Sequence, residues 1–215
     1  MHDFPGVYAD SGLFVCFEGG EGAGKSTQSR LLRERLVAEG HTVLLTREPG
    51  ATPVGAQVRR IVLDPATGEL ADRTEALLYA ADKAEHLHVV VRPALARGEV
   101  VVTDRYVDST LAYQGAGRSL DGAELAWVAR WATEDLRPHL TVLLDLHPDQ
   151  GLTRFEERDR IEGESIDFHQ RVRAEFLRLA ASDPDHYLVL DARDAVEDIA
   201  AAVQSRVMKL VGNAA

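Results

Sequence analysis

Between an apolar run at 13–17 (LFVCF) and an amphipathic stretch at 27–39, the chain reads GGEGAGKS from Gly19 to Ser26. This G-x-x-x-x-G-K-[ST] pattern constrains the fold more than any other feature. Its glycines serve a backbone that leaves a buried strand, curls tightly and opens directly into a helix. Successive N–H groups then point inward, and the helix that starts near Lys25 adds the partial positive charge of its N-terminus. Such a cradle suits phosphate oxygens, with Lys25 reaching the β- and γ-phosphates and Ser26 placed to hold Mg²⁺. The plainer alternative is a glycine-rich turn with a surface lysine.

Four further short runs rich in Val and Leu recur at 42–46 (TVLLT), 100–103 (VVVT), 140–146 (LTVLLDL) and 187–190 (YLVL). Each fits a strand buried on both faces. Helical patterns separate them, including a long one over 73–97 in which Pro93 marks a kink or an early end. Alternation of this kind predicts an α/β fold: a five-stranded parallel sheet with helices on both faces and ligands beyond the carboxyl ends of the strands. At 215 residues the expectation is a single P-loop domain over 13–215, preceded by a flexible tail over 1–12. One stretch, 154–164 (RFEERDRIEGE), is nearly all charge, and it reads as a solvated, mobile excursion, a lid at about 148–166.

Composition limits the partners. With 24 Lys and Arg against 35 Asp and Glu, the net charge is −11. A surface that acidic repels a nucleic-acid polymer over most of its area, while a few focused cations still bind a small anion. The single cysteine, Cys16, cannot pair within the chain, which suits a reducing compartment. No apolar run approaches the roughly 18 residues of a membrane span, so no membrane partner is expected and the cytoplasm is the expected location. Dispersed histidines, with His86 and His88 on different helix faces, suggest no transition-metal site.

The cradle alone does not choose among GTPases, ATP-driven machines and small-molecule kinases. No N-K-x-D element for guanine is present. Four more stretches discriminate: TREPG at 46–50, DRY at 104–106, AYQGAGR at 112–118 and FHQRVR at 168–173. Taken with FEGGEGAGKS and DRIEGE, in this order along nearly the whole chain, they resemble the bacterial thymidylate kinases, which phosphorylate dTMP to dTDP with ATP.

That resemblance implies a set of roles. ATP would sit on Gly19, Gly20, Glu21, Gly22, Ala23, Gly24, Lys25, Ser26 and Thr27. Mg²⁺ would be held by Ser26 and Asp104. Catalytic cations would be Lys25, Arg105 and the lid arginines Arg154, Arg158 and Arg160, among which the sequence does not choose. Gly22 stands where one branch of the family carries an arginine, so the lid arginines would substitute. Arg105 and Arg59 would clamp the dTMP phosphate, and Glu48 and Pro49 would shape the loop. Glu21 would face the sugar hydroxyl. Tyr79 and Lys83, in LLYAADKAEH, would meet thymine, with Lys83 replacing the usual arginine. Ser109, Thr110, Tyr113 and Gln114 would line base and sugar. Read without the family, Tyr79 is a core aromatic and Arg59 belongs to a solvated face. Glu162 and Glu164 form salt bridges, help position the metal or lie on a solvated face.

The family also implies a homodimer, for which Leu125, Val128 and Ala129 near Trp127 and Trp131 offer a helical stripe, unless that stripe is core. Two other functions remain open: another nucleoside monophosphate kinase, and a catalytically silent nucleotide-binding regulator.

Overall fold

A computed structural model of the chain describes residues 6–153 and 158–213. The chain alternates strand and helix: β1 (Leu13–Glu18), α1 (Lys25–Ala38), β2 (Val43–Arg47), α2 (Pro53–Leu63) and α3 (Asp72–His86). Next come α4 (Arg92–Ala96), β3 (Val100–Asp104), α5 (Val107–Thr110), α6 (Gly122–Thr133) and β4 (Leu140–Asp145). The last elements are α7 (Pro148–Leu152), α8 (Ile166–Ser182), β5 (Tyr187–Asp191) and α9 (Val196–Asn213).

The strands form one parallel sheet in the order β2-β3-β1-β4-β5. β1 is buried along its whole length, and its side chains alternate between two apolar layers. Leu13, Val15 and Phe17 pack with Leu32 and Leu36 of α1 and with Ile199, Val203 and Val207 of α9. Phe14 and Cys16 pack on the opposite face with Leu87, Val91, Leu95 and Tyr106. Each fully buried side chain of this size stabilises the fold by roughly 1.5–3 kcal/mol, which is why a strand without polar alternation sits at the centre of a helix-covered sheet. A third cluster, built on Leu143, Phe168, Val172, Phe176 and Tyr187, fixes α8 against β4 and β5.

Three local features differ from the sequence reading. The pattern over 73–97 is continuous: α3 passes into a π-helical segment at Leu87–Val91 and then α4, with Pro93 in the first turn of α4. Pro93 has no N–H to return to the preceding turn, and a wider turn there absorbs the loss without ending the helical run. The part of 154–164 that the structure describes is not solvated throughout, because Ile161 is 4% exposed and joins the apolar cluster around Phe168. Of the tail at 1–12, residues 6–12 are described, and they lie against the body. Val7 N–H donates to Asp135 O, Arg137 N–H donates to Val7 O, and Ser11 Oγ–H donates to Leu95 O.

β1, β2 and β3 all end at the same edge, since Phe17 and Arg47 both stand in register with Asp104. The loops that leave these strands therefore converge, at the place where parallel sheets bind ligands.

Candidate active site

The loop after β1 reaches α1 through Gly24, the N-cap residue, at φ 91°, in the left-handed region that favours glycine. Gly22 is held more tightly: at φ 69°, a Cβ there would lie 2.6 Å from Gly151 O. A larger side chain at position 22 would have to displace α7, so an arginine does not fit this loop as it stands.

Lys25 is 7% exposed and folds back over the loop, its Nζ donating to Gly19 O at 3.0 Å and Gly20 O at 2.7 Å. Burial, with the nearby Arg105 charge adding to it, pushes its pKa down. Ser26 Oγ–H donates to Asp104 Oδ2 at 2.5 Å, so a hydroxyl and a carboxylate meet at the edge of the loop. Among the described residues no group of three or more His, Cys, Asp or Glu side chains could hold a metal ion. A pair of oxygens suits Mg²⁺, which keeps several waters and takes phosphate oxygens beside one or two protein ligands.

Arg105 follows β3 with φ 73°, an uncommon conformation for a residue with a Cβ, which costs on the order of 1–3 kcal/mol. Its surroundings hold it there. Arg105 N–H donates to Phe17 O, and Thr103 Oγ–H donates to Arg105 O at 3.0 Å. Glu18, 1% exposed at the end of β1, accepts from Tyr106 N at 2.8 Å, Ser109 N at 3.1 Å and Ser109 Oγ at 2.6 Å. Burial, with the Asp108 carboxylate adding to it, pushes the Glu18 carboxyl up to about 7.

From this base the guanidinium reaches Gly19 O at 3.2 Å, Ser109 Oγ at 3.0 Å, Glu21 Oε1 at 2.7 Å and Tyr113 OH at 3.2 Å. Tyr113 OH in turn donates to Glu21 Oε1 at 2.7 Å. Burial opposes ionisation of Glu21, but Arg105 and Lys25 outweigh it and bring its pKa down to about 2. Both Lys25 and Arg105 thus donate to one carbonyl, Gly19 O.

A cleft of about 640 Å³, including its open mouth, lies beside Arg105 and Glu21. The structure places around it Glu21, Glu48, Pro49, Arg59, Tyr79, Lys83, Arg105, Ser109, Thr110, Tyr113 and Gln114, which the sequence reading had drawn from five separate stretches. Its mix of aromatic, cationic and amide groups suits a nucleotide. Arg59 reaches it from α2 and donates to Pro49 O at 3.1 Å. Lys83 Nζ stands 5.8 Å from the centre of the Tyr79 ring and 3.2 Å from Glu48 Oε2, both ends of that ion pair being buried. Thr110 Oγ1 is buried with no hydrogen-bond partner among the described residues, an unmet polar group on the cleft wall.

Three residues that support this cleft had no role in the sequence reading. Glu18 holds the Arg105 turn, as described above. His86 Nδ1 lies 2.8 Å from Glu48 Oε1, and its Nε2 lies 2.7 Å from Thr46 Oγ1. Because a carboxylate only accepts, Nδ1 carries a proton toward Glu48. Glu75, fully buried in α3, accepts from Gln114, Arg118 and Arg160. In the sequence each looks ordinary; the one available signal is Glu18, an acid ending a run that is otherwise apolar.

Of the three lid arginines, Arg154 lies outside the described residues. Arg158 Nη2 donates to Leu152 O at 3.5 Å, and Arg158 does not line the cleft. Arg160 Nε donates to Val62 O at 2.9 Å, and its Nη2 donates to Glu75 Oε2. Ile161 and Glu162 form part of the cleft wall, while Glu164 is paired with Arg118. On α6, Leu125 and Ala129 face the core, whereas Trp127 and Trp131 stack outward, 65% and 72% exposed, with ring centres 6.5 Å apart.

Residues 17–203 match the family model described as thymidylate kinase. A thymidylate kinase of Cutibacterium acnes is 53% identical over 200 residues, covering 93% of this chain and 98% of that protein. One from Clavibacter michiganensis subsp. michiganensis is 52% identical over 208 residues, covering 94% and 97%. Among solved structures, thymidylate kinase from Ehrlichia chaffeensis superposes with a TM-score of 0.77 at 29% identity, covering 92% of this chain and 99% of that one.

Proposed function

The chain belongs to the thymidylate kinase family, and we propose that it transfers the γ-phosphoryl group of ATP to dTMP, with ATP on the glycine-rich loop and dTMP in the adjoining cleft. The observation that carries this assignment of sites is the meeting of Lys25 and Arg105 at Gly19 O, 3.0 and 3.2 Å away. One cation belongs to the loop and the other to the cleft, so two phosphate chains bound there would approach each other at that point.

In the reaction an oxygen of the dTMP phosphate bonds to the γ-phosphorus, the bond from that phosphorus to the β–γ bridging oxygen breaks, and ADP leaves with the electron pair. Little covalent work falls to the protein; positioning and charge neutralisation do most of it. Lys25 now satisfies itself on two neutral carbonyls, partners weaker than a phosphate oxygen, and it moves to the β- and γ-phosphates when they arrive. Arg105 and Arg59 grip the acceptor phosphate, the first through a planar fork that its left-handed turn aims into the cleft. Glu21, released from part of its bond to Arg105, faces the sugar hydroxyl. Tyr79 offers thymine a flat face, and Lys83 and Gln114 offer hydrogen bonds to its edge.

Ser26 and Asp104 would hold Mg²⁺, which when bound neutralises phosphate charge. The segment at about 148–166 acts as the lid of a single domain over 13–215, a reading supported by Ile161 and Glu162 on the cleft wall. The stacked, exposed Trp127 and Trp131 support a homodimer through α6, with Trp replacement expected to give a monomer by sedimentation. The unpaired Cys16 suits the cytoplasm, and among the described residues no helix is long and apolar enough to cross a membrane.

Coupled measurement of ADP release tests the assignment. Release should require dTMP together with ATP and Mg²⁺. Bound ATP without any dTMP-dependent release would contradict it and point to a silent regulator; release with a different monophosphate alone would point to another acceptor.

A further inference from the structure

Glu75 is 0% exposed, yet it receives hydrogen bonds from three side chains on two separate segments, 114–118 and the one that carries Arg160. Its Oε1 accepts from Gln114 Nε2 at 2.9 Å and Arg118 Nε at 3.1 Å. Its Oε2 accepts from Arg118 Nη2 at 3.1 Å and from Arg160 Nη2. Two guanidinium groups against one carboxylate keep it ionised despite its burial, and an ionised carboxylate has no proton to give.

That one-sided chemistry decides how the Gln114 side chain is turned. The half of the amide that faces Glu75 must be its NH₂, because the opposite rotamer would bring two acceptor oxygens together in a buried site. One N–H is spent on Glu75. The carbonyl oxygen and the second N–H remain for whatever occupies the cleft that Gln114 lines.

The polarity of that amide matters because pyrimidines differ along this edge. Thymine presents N3–H as a donor beside the O4 acceptor, whereas cytosine presents N3 as an acceptor beside an amino donor. An amide with its carbonyl toward N3 and its N–H toward O4 pairs with thymine; the flipped amide pairs with cytosine. We propose that Glu75 is a positioning residue for pyrimidine choice: it locks the Gln114 amide in the thymine-reading orientation, and its bond to Arg160 ties that lock to the seating of the 158–164 segment. The inference rests on the dTMP kinase reading and deepens it, since Glu75 itself touches no ligand.

The test compares kcat/KM for dTMP and dCMP, by coupled ADP release, in the full-length parent and in Glu75→Gln. A neutral amide at position 75 gives as well as accepts, so Gln114 becomes free to turn over. The dTMP-to-dCMP ratio should fall by at least about tenfold, with the dCMP value rising as the dTMP value drops. A carboxylate with only a structural role would depress both acceptors alike and leave the ratio where it was. A folded Glu75→Gln protein with the parent's ratio overturns the proposal. If Glu75→Gln does not fold, Glu75→Asp decides, since the shorter acid withdraws the acceptor from Gln114. A fall in the ratio of at least about threefold supports the lock, and an unchanged ratio overturns it. A parent that releases no ADP with dTMP overturns the kinase reading and this inference with it, whereas an active parent whose ratio survives substitution overturns the role of Glu75 alone.

Discussion

The two lysines of the site, Lys25 on the loop and Lys83 on the cleft wall, are held by partners of different kinds. At the phosphate end, Lys25 rests on the neutral carbonyls of Gly19 and Gly20, partners five and six residues away. At the base end, Lys83 rests on the carboxyl group of Glu48, and Gln114 rests on Glu75, partners 35 and 39 residues away along the chain. A cation held by carbonyls can exchange them for a phosphate and leave no buried ion behind. A cation held by a buried carboxylate cannot leave without stranding its partner. The first arrangement suits a group that must follow charge as it moves between two nucleotides. The second suits a wall that must keep its shape whichever monophosphate enters.

Replacing one cation at each end tests that distinction. The larger catalytic effect belongs to Lys25→Ala, expected to lower kcat by roughly three orders of magnitude, as removal of a transition-state stabiliser does. Its melting temperature should stay near the parent's, because the partners it leaves are neutral carbonyls and Arg105 still holds Glu21. Lys83→Met should behave in the opposite way. It leaves Glu48 without its ammonium partner, a loss of about 3–5 kcal/mol for a buried pair, and the melting temperature should fall by roughly 10 °C. Its KM for dTMP should rise more than its kcat falls, and its preference for dTMP over dCMP should weaken. Steady-state kinetics and thermal unfolding on the same preparations check both. Unfolding losses of equal size in the two variants would erase the distinction.

A smaller effect sharpens the picture at the phosphate end. Glu21 has its pKa lowered from 4.5 to about 2 by Arg105 and Lys25, working against its burial. A carboxylate depressed in the folded state contributes stability that is present above its unfolded pKa and lost as the pH falls through the folded one. Parent stability should therefore decline between about pH 4.5 and 2, in part through Glu21, and Glu21→Gln should flatten that part of a plot of melting temperature against pH. A variant with the parent's slope would show that Arg105 and Lys25 do not hold Glu21 as the geometry implies.

The same division explains what the sequence made legible. The phosphate end is a contiguous motif between a buried strand and a helix, and each step from glycine spacing to cradle is local. The sheet was equally readable, because runs such as LFVCF are too apolar to face water on either side. The base end was legible only through resemblance, since Tyr79 and Lys83 sit on a helix where aromatic and charged residues have commoner uses. Its supports were hidden. Glu75 and His86 look like ordinary polar helix residues until the fold brings Arg118, Arg160, Gln114 and Glu48 to them. Charge counting likewise concealed Ile161, an apolar side chain within a run of acids and arginines, which packs in the cluster around Phe168 and lines the cleft. Pro93 does not end the helical run, which passes through a wider turn just before it.

The central claim, that one end drives transfer while the other chooses the acceptor, meets its most direct test in a panel of monophosphates given to the unmodified protein with ATP and Mg²⁺. Thymine and uracil differ by one methyl group, whose packing is worth about ten- to two-hundredfold in kcat/KM, so dUMP should be a weaker acceptor within that range. Against dCMP, Lys83 and Gln114 would each meet a mismatched edge, and the preference for dTMP should be larger still. ADP release fastest with dTMP, slower with dUMP and slowest with dCMP is the predicted result. Comparable release with dTMP and dCMP would contradict it, because the base end would then be choosing nothing.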